Sequence, residues 1–298
     1  MVEVELKFQI PAARRTALLK ALDPKKSQQI QLQAKYYDTA DRQLARHGVA
    51  LRQRLEGTCW VQTLKAAGKS HIERFEHNHN LGELATPPEL NLDIYNEYPE
   101  AWAILSNALG DQFDDLQLQF ETDISRTLRV IEYEDTQVEV SLDIGQIRTQ
   151  HAEQQVHEVE FELKNGSIQH LLAFSFEWVK KYQLWLDVRS KAEIGNLLAA
   201  SQRVSPATLS KEFQISKKDS ASKTMCSLIA QQMQHLLPNI AAIADQIAEQ
   251  EHIDQAQLAL DQVHLTLLLF KDWHPQLSDE WAHQLAAFKQ QFGHRQHL

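Results

Sequence analysis

Three segments of this chain alternate apolar and charged residues with a period of two, and that alternation limits what the chain can fold into. Successive side chains of a strand point to opposite faces. Val2, Val4, Leu6, Phe8 and Ile10 therefore share one face, and Glu3, Glu5 and Lys7 the other. Near residue 160 the pattern returns, with Val159, Phe161 and Leu163 opposite Glu158, Glu160, Glu162 and Lys164. A third strand sets Val138, Val140 and Leu142 against Glu139, Ser141 and Asp143. Basic residues recur on the strands between: Arg52 with Arg54, then Lys65, then Arg74 beside Glu76, then Arg126. One charged strand face is ordinarily the wet side of an antiparallel sheet. Here acidic triplets sit at i, i+2 and i+4, where like charges repel unless a cation bridges them. Such oxygen-rich clusters suit Mg²⁺ or Mn²⁺. Repeated Arg and Lys suit phosphate oxygens. A polyanion held between a basic wall and a metal-loaded acidic wall explains both sets.

Residues 1 to about 200 read as short strands with a few helices. Strands are expected at 2–10, 29–38, 49–56, 60–65, 72–80, 123–132, 137–143 and 154–163, with Gly48, Gly57 and Gly68 as punctuation. Helices are expected at 12–22, 102–109, 168–182 and 192–200. Residues 83–89, with Pro87 and Pro88, read as loop. Beyond residue 201 the strand signal fades. Residues 201–216 read as a linker, and 217–298 as a small helical domain. Its first helix carries Pro238, a kink signal. Its second is expected at 258–273, ended by Pro275, and its third at 281–292.

Composition removes several function classes. The net charge of −10 argues against a nucleic-acid binder. No run approaches the roughly 18 apolar residues that a membrane span needs. The first residues form no secretory signal, so a cytoplasmic location is expected. Cys59 and Cys226 are far apart and lack ligand partners at metal spacing.

Taken in order, the motifs resemble the CYTH superfamily, the triphosphate tunnel metalloenzymes. Glu3, Glu5 and Lys7 look like its E-x-E-x-K opening. The match continues through Tyr36-Tyr37-Asp38-Thr39, Arg52 and Arg54, Gln62 to Lys65, Thr122 to Arg126, Glu139 to Gly145, Glu158 to Glu162, and Ser190-Lys191-Ala192. The order most resembles the bacterial inorganic triphosphatase branch, in which a helical CHAD domain follows. The resemblance implies an α+β fold: an eight-stranded antiparallel β-barrel tunnel over residues 1–200, with charged residues inside and helices outside. It implies that Glu3, Glu5, Glu160 and Glu162, with Glu158 as a further candidate, hold the first metal, Mg²⁺ or Mn²⁺. It implies that Lys7, Arg52, Arg54, Lys65, Arg126 and Lys191 hold triphosphate, with Arg74 at a less specific tunnel position. Glu139 and Asp143 would serve a second metal and the attacking water. Many relatives place Lys where this chain has Ile124, so that contact is either missing or supplied by Arg129.

The resemblance implies metal-dependent hydrolysis of tripolyphosphate to diphosphate and phosphate. Thiamine-triphosphate hydrolysis or ATP cyclisation would use the same charged residues. A binding-only sensor of polyphosphate or nucleotide is a third reading. Val263 and His264 resemble a CHAD helix, but Lys271 is the one basic residue that follows in it, and from Pro206 onward seven Lys and Arg face ten Asp and Glu. The tail is thus expected as a truncated CHAD-like bundle that packs on the tunnel or forms a homodimer contact. Gly68-Lys69-Ser70 resembles a P-loop end, yet Thr63 stands where a glycine is required and no helix follows. His71, His77 and His79 raise a zinc reading, but the spacing of His77 and His79 fits a strand face.

Overall fold

The computed structural model describes residues 2–70, 73–273 and 275–294. It divides into two units, Met1–Arg203 and Val204–Leu298. In the first unit the strands are β1 (Val2–Gln9), β2 (Gln28–Asp38), β3 (Val49–Glu56), β4 (Cys59–Ser70), β5 (Glu73–Glu83), β6 (Gln117–Tyr133), β7 (Thr136–Arg148), β8 (Glu153–Asn165) and the two-residue β9 (Trp185–Leu186). The helices are α1 (Arg15–Ala21), α2 (Gln43–Arg46), α3 (Pro99–Leu109), α4 (Ile168–Tyr182) and α5 (Lys191–Ala199).

The strands pair in the order β5-β4-β3-β2-β6-β7-β8-β1-β9. Strand β5 also pairs with β1, with Val2 opposite Phe75, Glu3 opposite Arg74 and Val4 opposite Glu73. That ladder joins the two ends of an eight-stranded antiparallel ring, and β9 adds a short rung beside Phe8 and Gln9. Closure leaves the sheet with an inner and an outer face and removes its long edges.

The outer face is apolar and carries the helices. Leu6 and Phe8 of β1, Val138, Val140 and Leu142 of β7, and Val159 and Phe161 of β8 pack on Leu18 of α1 and on Leu171, Phe174 and Tyr182 of α4. Each such fully buried large side chain contributes about 1.5–3 kcal/mol. Around the ring, Val49 and Leu51 of β3 and Leu64 of β4 pack on Leu44 of α2 and on Ala101, Leu105 and Leu109 of α3. Asp38 anchors α2: its carboxylate accepts from the backbone N–H of Thr39, Leu44 and Ala45 at 2.8–2.9 Å. Burial outweighs these hydrogen bonds and raises its pKa above the ordinary Asp value.

The inner face is mixed. Toward one end it is apolar: Leu32, Ala34, Tyr36, Phe120, Ile124, Ile147 and Val156 gather around Ile194 of α5, with Ala192 and Leu198 against them. The closely packed α5 thus carries its apolar side into the ring. Gly195 makes room for this, since a Cβ there would lie 2.2 Å from the Phe120 ring.

The second unit is helical, with α6 (Ala221–Ala244), α7 (Gln250–Leu269) and α8 (Pro275–His294). Its core joins Leu236, Ala256, Ala259 and Leu260, with Met233, Ile240, Ile243 and Leu285 at its margin. Helix α6 runs through Pro238 as one element. Helix α7 starts eight residues before the expected Leu258, because Glu249 and His252 form a reciprocal capping box. Pro275 opens α8 instead of ending α7, a position where its missing N–H is harmless. Within 201–216, Thr208 exchanges hydrogen bonds with Asn239, and the Ser205 carbonyl meets His252 at 2.9 Å. Among the described residues no helix is long and apolar enough to cross a membrane.

Candidate active site

Register alone brings the charged residues into rows on the inner face. Directly opposed residues of an antiparallel pair share a face. Glu5, Glu162 and Glu139 form one row across β1, β8 and β7. Lys7, Glu160 and Ser141 form the next, and Gln9, Glu158 and Asp143 the third, with Arg126 of β6 beside Asp143. Tyr36 lies opposite Arg52, Thr63 opposite Arg52, and Glu76 opposite Lys65. On β1, β7 and β8 these inward positions alternate with outward apolar ones.

The tightest group is Asp143, Glu158 and Glu160, whose oxygens lie within 4.8 Å of one another. Among the described residues it is the one set of three or more metal-type donors so assembled. Asp143 and Glu158 are fully buried, and three cations hold the group together. Lys191 reaches Asp143 at 2.7 Å and Glu160 at 2.9 Å, and also contacts Glu158. Arg126 forks onto Asp143 with two bonds of 2.6 Å and reaches Glu160 at 2.5 Å. Lys7 meets Glu158 at 3.2 Å and donates to the Arg189 carbonyl.

This crowding shifts Glu160, Lys191 and Arg126 toward their charged forms. At Glu160 burial opposes ionisation, but Lys191 and Arg126 outweigh it and hold the carboxyl well below the usual range. Burial likewise opposes the charge of Lys191 and of Arg126. Asp143, Glu158 and Glu160 reverse this for Lys191, and Glu160 with Asp143 for Arg126, and both rise well above their ordinary values.

The β3 and β4 cations form a second wall. Arg54 pairs with Glu56, and Lys65 with Glu76 at 2.5 Å. Arg52 is buried, its Nη1 lies 3.4 Å from the Tyr36 hydroxyl, and its Nε has no hydrogen-bond partner among the described residues. An unpaired buried donor on a guanidinium is costly, and an anion's oxygen would satisfy it. Burial raises the Tyr36 phenol's pKa, but Arg52 and then Arg54 and Lys191 bring it below the ordinary value.

Several expected residues stand elsewhere. The side chains of Glu3 and Arg74 lie outside the described part, although their backbones face each other. Glu139 and Glu162 sit one to two rows from the tight group, both near Lys164, at 3.9 and 2.9 Å. Arg129 does not replace a basic contact at Ile124. It falls on the outer face and donates to the Leu22 carbonyl, while Ile124 belongs to the apolar end. His77 packs against Tyr95 and Tyr98, away from the carboxylates, and burial lowers its pKa. His71 lies outside the described residues. Three participants carry no motif: Gln9, Asp187 and Arg189. Gln9 donates to Asp187 at 3.0 Å, and Arg189 forks onto Asp187 at 2.8 and 2.9 Å. Asp187 and Arg189 lie beyond the two-residue β9, so no strand alternation marks them.

The CYTH domain model matches residues 1–193, which span the whole ring. The chain belongs to the CYTH domain family. An inorganic triphosphatase of Haemophilus influenzae is 34% identical to this CYTH protein over 170 residues, which are 56% of this chain and 46% of that one. The chain therefore spans about half the length of the curated relative it matches. Among solved structures, a Bacillus halodurans protein described as an adenylate cyclase is 20% identical, with a TM-score of 0.46, covering 65% of this chain and 96% of its own. A Hippeastrum protein described with a dominant triphosphatase activity is 16% identical, with a TM-score of 0.46, covering 68% and 97%.

Proposed function

We propose that this CYTH protein is a divalent-metal-dependent hydrolase of inorganic triphosphate, releasing diphosphate and phosphate, with all of the chemistry in residues 1–203. One observation carries the proposal: the buried Lys7 of β1 and the half-buried Arg126 of β6 and Lys191 of α5 converge on the buried Asp143 and Glu158 and the half-buried Glu160 inside a closed ring. Phosphoryl transfer asks a protein chiefly for positioning and charge neutralisation.

The donor set fits Mg²⁺ or Mn²⁺, since it consists of hard carboxylate oxygens close enough to share one ion. Asp143, Glu158 and Glu160 would hold it, and the row of Glu5, Glu139 and Glu162, with Glu3, would hold a second. Bound there, a divalent ion supplies charge neutralisation on phosphate oxygens and a water of lowered pKa. Arg52, Arg54, Lys65, Arg126 and Lys191 bind the triphosphate oxygens, with Lys7 beside them. The unpartnered Nε of Arg52 is a ready donor for one of these oxygens. Arginines placed where charge develops stabilise the transition state without reorganising. Glu139 orients the attacking water. No Ser, Cys or His nucleophile is needed.

A substrate panel tests this reading. Phosphate release is measured from tripolyphosphate, ATP and thiamine triphosphate, with Mg²⁺ and Mn²⁺ compared side by side. Preferential turnover of tripolyphosphate supports the proposal. Preference for either organic triphosphate overturns the substrate assignment, and tight binding without any release makes the protein a sensor.

A further inference from the structure

We propose that Asp187 and Arg189 are positioning residues: their buried pair locks the turn that leads into α5 and so delivers Lys191 and Lys7 to the carboxylate group. The proposal rests on the triphosphatase reading for its kinetic consequences, but not for its geometry.

The Asp187 carboxylate is surrounded by donors. It accepts from the Arg189 backbone N–H at 3.0 Å, from Arg189 Nε at 2.9 Å and Nη2 at 2.8 Å, and from Gln9 Nε2 at 3.0 Å. The backbone N–H of Asp187 donates to the Lys7 carbonyl at 3.0 Å. One turn is thus tied to β1 through main chain and side chain together. The next contacts lead directly into the site. The Arg189 carbonyl accepts from Lys7 Nζ, Ser190 caps α5 by accepting from the Glu193 N–H, and Lys191 is the first residue of α5.

That placement has to be enforced. A cation at a helix N-terminus meets the positive end of the helix dipole and is disfavoured there. Lys191 nevertheless sits at this end, and three carboxylates hold its Nζ. A turn free to relax would let Lys191 leave with α5. A buried ion pair contributes little net stability compared with an apolar pair, whereas a forked guanidinium–carboxylate contact fixes orientation. Asp187 and Arg189 are both buried, and Asp187 is not part of the group of close carboxylates, so the pair acts through the two lysines.

The test labels lysines competitively with an acetylating reagent on the full chain, free of added metal and phosphate, read by mass spectrometry. Wild type, Asp187→Asn and Arg189→Lys are compared, with exposed Lys20 and Lys180 as references. In wild type, Lys191 and Lys7 label at least about tenfold more slowly than the references, and both variants erase most of that protection by freeing the turn. The references do not change. In parallel, each variant lowers kcat/KM for tripolyphosphate by about ten- to a hundredfold. In a Lys191→Ala background, Asp187→Asn adds less than about threefold, because coupled residues are not additive. Unchanged labelling of Lys191 and Lys7 in a folded variant overturns the proposal, as do fully multiplicative kinetic effects. If Asp187→Asn does not fold, Arg189→Lys, which keeps the charge but not the fork, decides the same question. A wild type without turnover would overturn the triphosphatase reading alone, and the labelling would still decide the role of the pair.

Discussion

At Glu160 two strong effects oppose each other. Burial favours the neutral acid, while Lys191 and Arg126 favour the carboxylate and prevail. Its value lies in charge, so Glu160→Gln keeps the shape and removes the function: kcat/KM for tripolyphosphate is predicted to fall by at least about a hundredfold. The same change leaves Lys191 and Arg126 short of a counter-charge, so the melting temperature falls as well. Asp187 provides a pH test. Burial opposes its charge, but Arg189 and Lys7 hold its pKa below the ordinary value of 3.8. A depressed carboxyl contributes stability that is complete above the unfolded value and is lost as the pH falls through the folded one. The melting-temperature gap between wild type and Asp187→Asn should therefore be full at pH 7 and shrink below about pH 4. Most charged residues of the bore were legible as an alternation along single strands. Asp187 and Arg189 were not, because a two-residue β9 and a turn give no periodic run to read.

At the scale of the element, α5 is the part that joins packing to chemistry. One side of it fills the apolar end of the ring with Ile194, and its first residue meets three carboxylates. Gly195→Ala would place a methyl 2.2 Å from the Phe120 ring. Overpacking of this kind costs about 1–3 kcal/mol, which corresponds to a fall in melting temperature of about 3–10 °C. Hydrolysis should drop too, although no charged group has changed, because Lys191 moves with the helix. A short helix was expected at 192–200. That expectation did not say that its apolar residues enter the ring, since an apolar stripe looks the same whether it packs outside or inside a barrel. At Ile124 the expectation was a basic contact either missing or supplied by Arg129; Arg129 faces outward, and Ile124 is a packing partner of α5.

For the whole molecule, closure of the ring decides what the charges can do. Strand β1 pairs with β8, some 150 residues later, and with β5. Alternation predicts which residues share a face but not which strands are neighbours, so the inward rows follow from the topology. Strand ends were also read short: β6 runs over Gln117–Tyr133, beyond the expected 123–132, because its polar ends continue to pair with β2 and β7. A ligand bound only by the folded ring adds stability in proportion to the logarithm of its concentration. Tripolyphosphate with Mg²⁺ at a hundred times its Kd should add about 2.7 kcal/mol to the unit that holds the ring. Its melting transition should rise by about 5–10 °C, as read by calorimetry. A solvated charged sheet without a site would show no such rise.

The most direct measurement is the rate of phosphate release from tripolyphosphate by the purified chain before chelation, after chelation, and after Mg²⁺ or Mn²⁺ is restored. Catalysis by buried carboxylates that share a divalent ion predicts turnover that vanishes on chelation and returns with the metal. Turnover that continues undiminished without metal, or that never appears with it, would contradict that claim.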